Sequence, residues 1–250
     1  MAKLSVYLLT YNEEANIREA LESVKWADEI VVLDSFSTDG TIAICRQYTE
    51  RVIQHEFVGF GRLRNLAVEK TTYDWILSVD ADERVTDELR EEILEELRKG
   101  PPADAYYLPR KSHFLGQWVS YCGWYPDYRQ PQLFNKAKMR YREDLVHEGF
   151  ELHGKIGHLR HHILQYPFRD LTQFLQKMDR YSTLMAEEMA KSGKHFAAHQ
   201  LVSHPLFTFI KMFIIRQGFR DGLVGFILST LYAYYTFVKY AKLWERLRKQ

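Results

Sequence analysis

Cysteine is scarce in this chain: two in 250 residues, Cys45 and Cys122, neither with a CxxC companion. That excludes a disulfide scaffold and a thiolate zinc site, and it fits a reducing compartment. An excess of charge is missing too, since 34 basic residues face 33 acidic ones. With no net field and no DNA- or RNA-binding motif, nucleic acid is not an expected partner. Internal repeats and low-complexity linkers are also lacking, which removes solenoids and disordered spacers. Met1 to Thr10 carries one lysine and a short apolar run but no cleavage region, so it reads as a first strand and not as a secretion signal. The expected location is therefore the cytoplasm. The uncharged run of the tail, Gly222 to Val238, is about 17 residues, short of the roughly 20 that cross a bilayer.

What is present begins with an alternation of strand and helix signals over the first hundred residues. Leu4 to Leu9, Glu29 to Leu33, Val52-Ile53 and Trp75 to Val79 read as short buried strands. Between them Glu13 to Lys25, a segment from Ser37 or Thr38 to Tyr48, and Gly61 to Glu69 read as helices. Asn12 and Ser37 or Thr38 are the expected N-caps. Thr86 caps a charged helix stopped by Gly100-Pro101-Pro102. This pattern predicts an α/β fold with a mostly parallel sheet covered by helices. Ala105 to Pro109 reads as another strand, and Lys111 to Arg142, rich in Trp, Tyr, Gly and Pro, as loops and short strands. Asp170 opens a long helix that Gly193 closes. The predicted division is 1–165, with a nucleotide-binding part to about 100 and an acceptor part after it, followed by a helical extension over 166–250.

In open parallel sheets ligands bind beyond the carboxyl ends of the strands. Three strands here end in acidic or amide groups: Thr10-Tyr11-Asn12-Glu13, Asp34-Ser35, and Asp80-Ala81-Asp82-Glu83. Any one of them alone is explained as a helix cap; their convergence points to a site. In an extended stretch residues two apart face the same side, so Asp80 and Asp82 are expected to face one cation. Hard carboxylate oxygens suit Mg²⁺ or Mn²⁺, which bridge substrate phosphates.

These residues carry a resemblance. Thr10-Tyr11-Asn12-Glu13-Glu14 with Asn16-Ile17, Val31 to Thr41, Arg64-Asn65 and Asp80-Ala81-Asp82-Glu83 are similar, in order and spacing, to the family 2 glycosyltransferases of the GT-A fold. Arg129 to Phe134, Arg140-Tyr141 and Val146-His147-Glu148 resemble the lipopolysaccharide core β-glucosyltransferase group, which acts on an inner-core heptose. One departure is Phe36, where many relatives carry Gly or another small residue.

The resemblance implies a metal-dependent, inverting hexosyltransferase using a nucleotide-sugar donor, UDP-glucose. Thr10, Tyr11 and Glu13 would line the nucleoside pocket, and Asp34 would accept from the base. Arg64 would reach the base or diphosphate, with Asp80 and Ala81 at the ribose or metal shell. Asp82 would ligate the metal through its DXD motif, with Asp80 and His147 as further candidate ligands. Among the downstream acids Asp127, Glu143, Asp144 and Glu148, the expected base is Glu148. The histidines at 153, 158, 161 and 162 fit no zinc spacing and read as strand or surface residues.

The tail from Pro205 to Lys249 mixes aromatic, aliphatic and basic residues, a pattern of helices lying in a membrane interface. Helices packed on the catalytic domain or forming a homodimer are the alternative. The expected protein thus sits peripherally on the inner face of the cytoplasmic membrane and acts on a lipid-linked glycan. A polyprenyl-phosphate acceptor is a rival reading. So is a sugar nucleotidyltransferase, although the glycine-rich phosphate loop of such enzymes is absent after the first strand.

Overall fold

The computed structural model describes residues 2–143 and 149–249. The chain divides into two compact units, Met1–Arg110 with Asp127–Gln165, and Lys111–Pro126 with Tyr166–Gln250. The first unit takes in most of the predicted catalytic region, but segment 111–126 groups with the second.

In chain order the elements are β1 (Leu4–Thr10), α1 (Ile17–Val24), β2 (Glu29–Asp34), α2 (Thr41–Cys45), β3 (Val52–Gln54), α3 (Phe60–Glu69), β4 (Trp75–Ser78), β5 (Glu83–Val85), α4 (Asp87–Lys99) and β6 (Ala105–Tyr107). There follow β7 (Arg110–Phe114), β8 (Gln117–Trp118), β9 (Leu133–Asn135), β10 (Met139–Tyr141), β11 (Phe150–Leu152), β12 (Ile156–His158) and β13 (Ile163–Gln165). Last come α5 (Leu171–Lys191), α6 (Gln200–Phe209), a π-helical stretch (Ile210–Ile215), a 3-10 turn (Gly218–Asp221) and α7 (Gly222–Arg248).

The first unit is built on a seven-stranded sheet of order β12-β6-β9-β4-β1-β2-β3. β1, β2, β3 and β4 run parallel, and β9 alone runs antiparallel to both its neighbours. β1 is nearly all buried, as a strand covered on both faces must be. On one face Ile17, Ala20, Leu21 and Val24 of α1 and Leu89, Ile93 and Leu97 of α4 join the core; on the other Leu63 and Ala67 of α3 do so. The Thr86 side chain accepts from the Leu89 N–H, acids occupy the first turn of α4 and bases its last, and Gly100 ends it at φ 84°.

Two predicted helix starts are corrected. α1 begins at Ile17 and not Glu13, because Asn12 adopts φ 54° and residues 13–16 form a turn. α2 begins at Thr41; the Asp39 carboxylate, not Ser37 or Thr38, accepts from the Thr41 N–H at 3.0 Å. The hydroxyl of Ser37 donates instead to Asp34, and that of Thr38 to Asn12 Oδ1 at 3.4 Å.

In the second unit Asp170 caps α5 by accepting from Gln173 N–H at 2.7 Å. α5 and α6 both pack against α7, over a core that includes Phe114, Phe174, Met178, Met212 and Leu228. Among the described residues no helix is long and apolar enough to cross a membrane.

Candidate active site

Thr10 and Asp34 are register partners at the carboxyl ends of β1 and β2, and Thr10 Oγ1 donates to Asp34 Oδ1 at 3.0 Å. Beyond them two loops are cross-tied. Asn12 N–H donates to Ser37 Oγ and Thr38 N–H to Asn12 Oδ1, both at 2.8 Å. Glu13 N–H donates to Thr41 Oγ1 at 2.8 Å, and Gly40 N–H to Glu14 Oε2 at 3.1 Å. The Glu13 carboxylate accepts from Asn16 Nδ2 at 2.7 Å. Both loops therefore reach the sheet edge with their backbones fixed, while Tyr11 and Phe36 stand 52% and 51% exposed. Phe36 has φ 60°. A bulky side chain is strained there and glycine is not.

Asp34 itself has no exposed surface. It accepts from Thr10, from the N–H and hydroxyl of Ser37, and from Gln54 Nε2 at 3.3 Å. The Asp34 carboxylate is thus fully engaged by groups of its own chain, and the long Gln54 bond is the weakest of them.

The acidic motif after β4 also differs from expectation. Glu83 N–H donates to the Asp80 carbonyl at 2.9 Å, so residues 80–83 form a turn and the alternation argument for Asp80 and Asp82 does not apply. Asp80 is held from behind by Arg64, whose Nη2 donates to its Oδ1 at 3.0 Å. Arg64 Nη1 donates to Ser78 Oγ at 2.9 Å and to Tyr7 OH at 3.4 Å; Tyr7 OH in turn donates to Tyr141 OH at 3.0 Å. Arg64 is thus buried, with its guanidinium engaged by Asp80, Ser78 and Tyr7. Ala81 is buried, and Asp82 lies within 3.4 Å of Gln165 Nε2 at the end of β13.

Beneath this turn lies a charge network that the sequence did not bring together. Glu83, fully buried, accepts from Asp80 N–H at 2.9 Å, Arg110 Nε at 2.6 Å and Gln132 Nε2 at 2.9 Å. Arg110 Nη1 reaches Asp127 Oδ2 at 3.1 Å, and Asp127 Oδ1 accepts from Arg129 Nε at 3.0 Å. Burial works against the charged form of Asp80, but the guanidinium charges of Arg64, Arg110 and Arg129 outweigh it and hold that carboxyl below its usual range. For Glu83 burial prevails, helped by the Asp80 charge, and its pKa is raised despite Arg110. The sequence signal for Glu83 was its place beside Asp82. Gln132 lay within the Arg129 to Phe134 motif without a role of its own, and Arg110 carried no signal, since it is brought in by tertiary packing.

Of the candidate bases, Asp127 is engaged by Arg110 and Arg129. Glu143 accepts from Arg140 at 3.0 Å and Asn65 at 3.3 Å, and these bonds lower its pKa. Asp144, His147 and the expected base Glu148 lie outside the described residues. His158, on β12, packs its ring against Tyr107 and Tyr128 at 5.3 and 5.1 Å.

Among the described residues no three His, Cys, Asp or Glu side chains gather to hold a cation. Two carboxylates on one turn, Asp80 and Asp82, still match the donor set of Mg²⁺ or Mn²⁺, which takes one or two protein carboxylates and completes its shell with substrate phosphates and water.

Residues 5–160 match the family described as glycosyl transferase family 2. The chain is 31% identical, over 97% of its length and 92% of the relative's, to the lipopolysaccharide core biosynthesis glycosyltransferase LpsC of Rhizobium meliloti (strain 1021). It is 30% identical to an uncharacterized glycosyltransferase of Rickettsia felis, covering 100% of this chain and 92% of that one. The crystal structure of S. aureus TarS 1-349 superposes with a TM-score of 0.51 at 18% identity, covering 99% of this chain and 92% of that one. That last likeness shows the fold, a GT-A-like α/β sheet.

Proposed function

We propose, from the premise that this chain belongs to glycosyl transferase family 2, that it moves a hexose from UDP-glucose onto a heptose of a lipopolysaccharide inner core, or a similar lipid-linked glycan, with inversion. The observation that carries this reading is the meeting, at the carboxyl edge of three adjacent parallel strands, of Thr10, Asp34 and the Asp80–Asp82 turn. The name of the Rhizobium relative supports a lipopolysaccharide-core acceptor.

In this reading Tyr11 and Phe36 offer aromatic surface to the uracil, whose ring N–H exchanges for the Gln54 amide at Asp34. Thr10 and Glu13 hold the loop that lines the nucleoside. Arg64 keeps Asp80 ionised and oriented, and Asp82 with Asp80 would hold the cation. A bound Mg²⁺ or Mn²⁺ supplies positive charge where the diphosphate leaves, worth several kcal/mol. Inversion requires the acceptor hydroxyl to attack opposite the diphosphate, so its proton passes to a carboxylate outside this turn. Glu148 is the residue we assign, and a positioned base of this kind contributes about 10²–10⁴-fold. The work takes place at the inner face of the cytoplasmic membrane, where the acceptor's lipid is anchored.

Calorimetric titration of UDP and UDP-glucose, with Mn²⁺ and with EDTA, tests the donor side. Metal-dependent binding of both supports the reading, and no binding under either condition overturns it. On the acceptor side, Glu148→Gln is expected to keep UDP-glucose affinity and lose transfer; near-normal turnover removes that assignment.

A further inference from the structure

Between Glu188 and Glu245 the chain has a single acidic residue, Asp221. It is withdrawn from the surface: 5% exposed, its carboxylate accepts the N–H groups of Ser120 at 3.1 Å and Tyr121 at 2.9 Å. The charge displayed where α6 turns back into α7 is therefore all basic. Lys211, Arg216 and Arg220 are exposed there, and among the described residues no carboxylate pairs with any of them. Around them large apolar side chains face outward: Phe207, Ile214, Ile215 at 59%, Phe219 and Leu223 at 73% exposure.

This turn is built rather than loose. Cys122 N–H donates to the Arg216 carbonyl at 3.1 Å, and the Arg220 guanidinium lies 4.4 Å from the Tyr121 ring centre. A side chain at Gly218 would strike Cys122 Sγ, and one at Gly225 would strike the Gly218 carbonyl, so the segment is close-packed on its inner side. A fixed surface that presents apolar groups within a purely basic frame suits one chemistry: an anionic lipid leaflet, with acyl chains beneath a layer of phosphates. A second copy of the chain suits it poorly, because a two-fold contact would set basic groups against basic groups.

We propose that residues 206–226 form a wedge that enters the headgroup layer of an anionic membrane without crossing it. Phe207, Ile214, Ile215, Phe219 and Leu223 reach the acyl boundary, and Lys211, Arg216 and Arg220 meet the phosphates. This deepens the membrane part of the proposed function and rests on it, but it requires nothing of the transfer chemistry.

The test is flotation of the full chain with phosphatidylglycerol-containing vesicles and with phosphatidylcholine vesicles, beside UDP calorimetry and a thermal melt on each variant. The expected result is binding to the anionic vesicles only. Ile214→Ser/Ile215→Ser/Leu223→Ser is expected to weaken it at least about tenfold, and Lys211→Gln/Arg216→Gln/Arg220→Gln by a similar factor. UDP affinity should be unchanged in both, and the cooperative melt retained. Flotation unaffected by either triple change overturns the wedge, as does wild-type protein that binds UDP yet ignores anionic vesicles. A dimer that the apolar triple dissolves, without vesicle binding, reassigns the surface to a second copy. Loss of UDP binding with flotation intact would instead sink the donor-site reading alone.

Discussion

The two units use side chains in opposite ways. In the first, charge is turned inward: Glu83, Arg110 and Arg64 are buried, and each meets partners at hydrogen-bond distance. In the second, around the α6–α7 turn, the lone acid is inside and the apolar groups are outside. Burying charge is costly unless every group is paired, and exposing aliphatic surface is costly unless something covers it. The first unit meets that condition within itself; the wedge leaves it to a partner.

The comparison breaks most visibly at Asp82. If the acidic turn serves a cation on a leaving diphosphate, Asp82→Asn should cost about 10³-fold in kcat/KM, with the fold intact by circular dichroism. Metal-dependent UDP affinity should fall with it. Loss below tenfold would mean that the turn serves the fold and not the chemistry.

Next comes Glu83. Removing one member of a buried pair strands the other charge, so Glu83→Ala should destabilise the protein by about 3–5 kcal/mol in urea unfolding. Asp80 N–H and Gln132 Nε2 lose their acceptor in the same step. Breaking the exposed Lys249–Glu245 pair should leave stability unchanged within error. Equal effects at both places would erase the contrast between inward and outward charge.

Why one part of this was legible in the sequence and another was not follows from range. Strands β1, β2 and β4 were readable because a buried parallel strand is a short apolar run, and the acids at their ends stand next to those runs. Thr86, Asp170 and Gly100 announced their helices because caps act over three or four residues. Antiparallel β9 was not readable, since three residues carry no direction and only pairing with β4 and β6 supplies it. Arg110 meets Glu83 across 27 positions and Asp221 meets Tyr121 across 100; no local pattern encodes such distances. The alternation applied to Asp80 and Asp82 failed because a turn closed by the Glu83 N–H intervened, a competition a three-residue motif does not reveal.

Asp80 and Glu83, three residues apart, sharpen the comparison through pH. The native state holds Asp80 below its usual range, so its contribution is complete above the ordinary carboxylate pKa of about 4 and is lost as pH falls through the lowered value. Glu83 runs the other way: its pKa is raised, so its contribution is complete below the ordinary value and lost as pH rises through the raised one. Urea midpoints measured from neutral pH down to about 3 should therefore fall less steeply for Asp80→Asn than for wild type. Parallel curves would contradict the control of Asp80 by the surrounding guanidinium groups.

The smallest effect sets the two thiols against each other, one in each unit. Burial first, then the Asp34 and Asp39 charges, pushes Cys45 up to about 12; burial, with a smaller part from Asp221, pushes Cys122 up to about 11. Against a free thiol near 8.5 both are almost wholly protonated at neutral pH, and only the thiolate reacts. Iodoacetamide should thus label neither at an appreciable rate in native protein, and both at once in urea. In native protein at pH 9 the residual labelling should favour Cys122, by up to about tenfold from the pKa difference alone when opening is equally frequent. Mass spectrometry of the alkylated peptides resolves the order. Cys45 reacting first would mean that its surroundings in the first unit open more readily than those of Cys122 in the second.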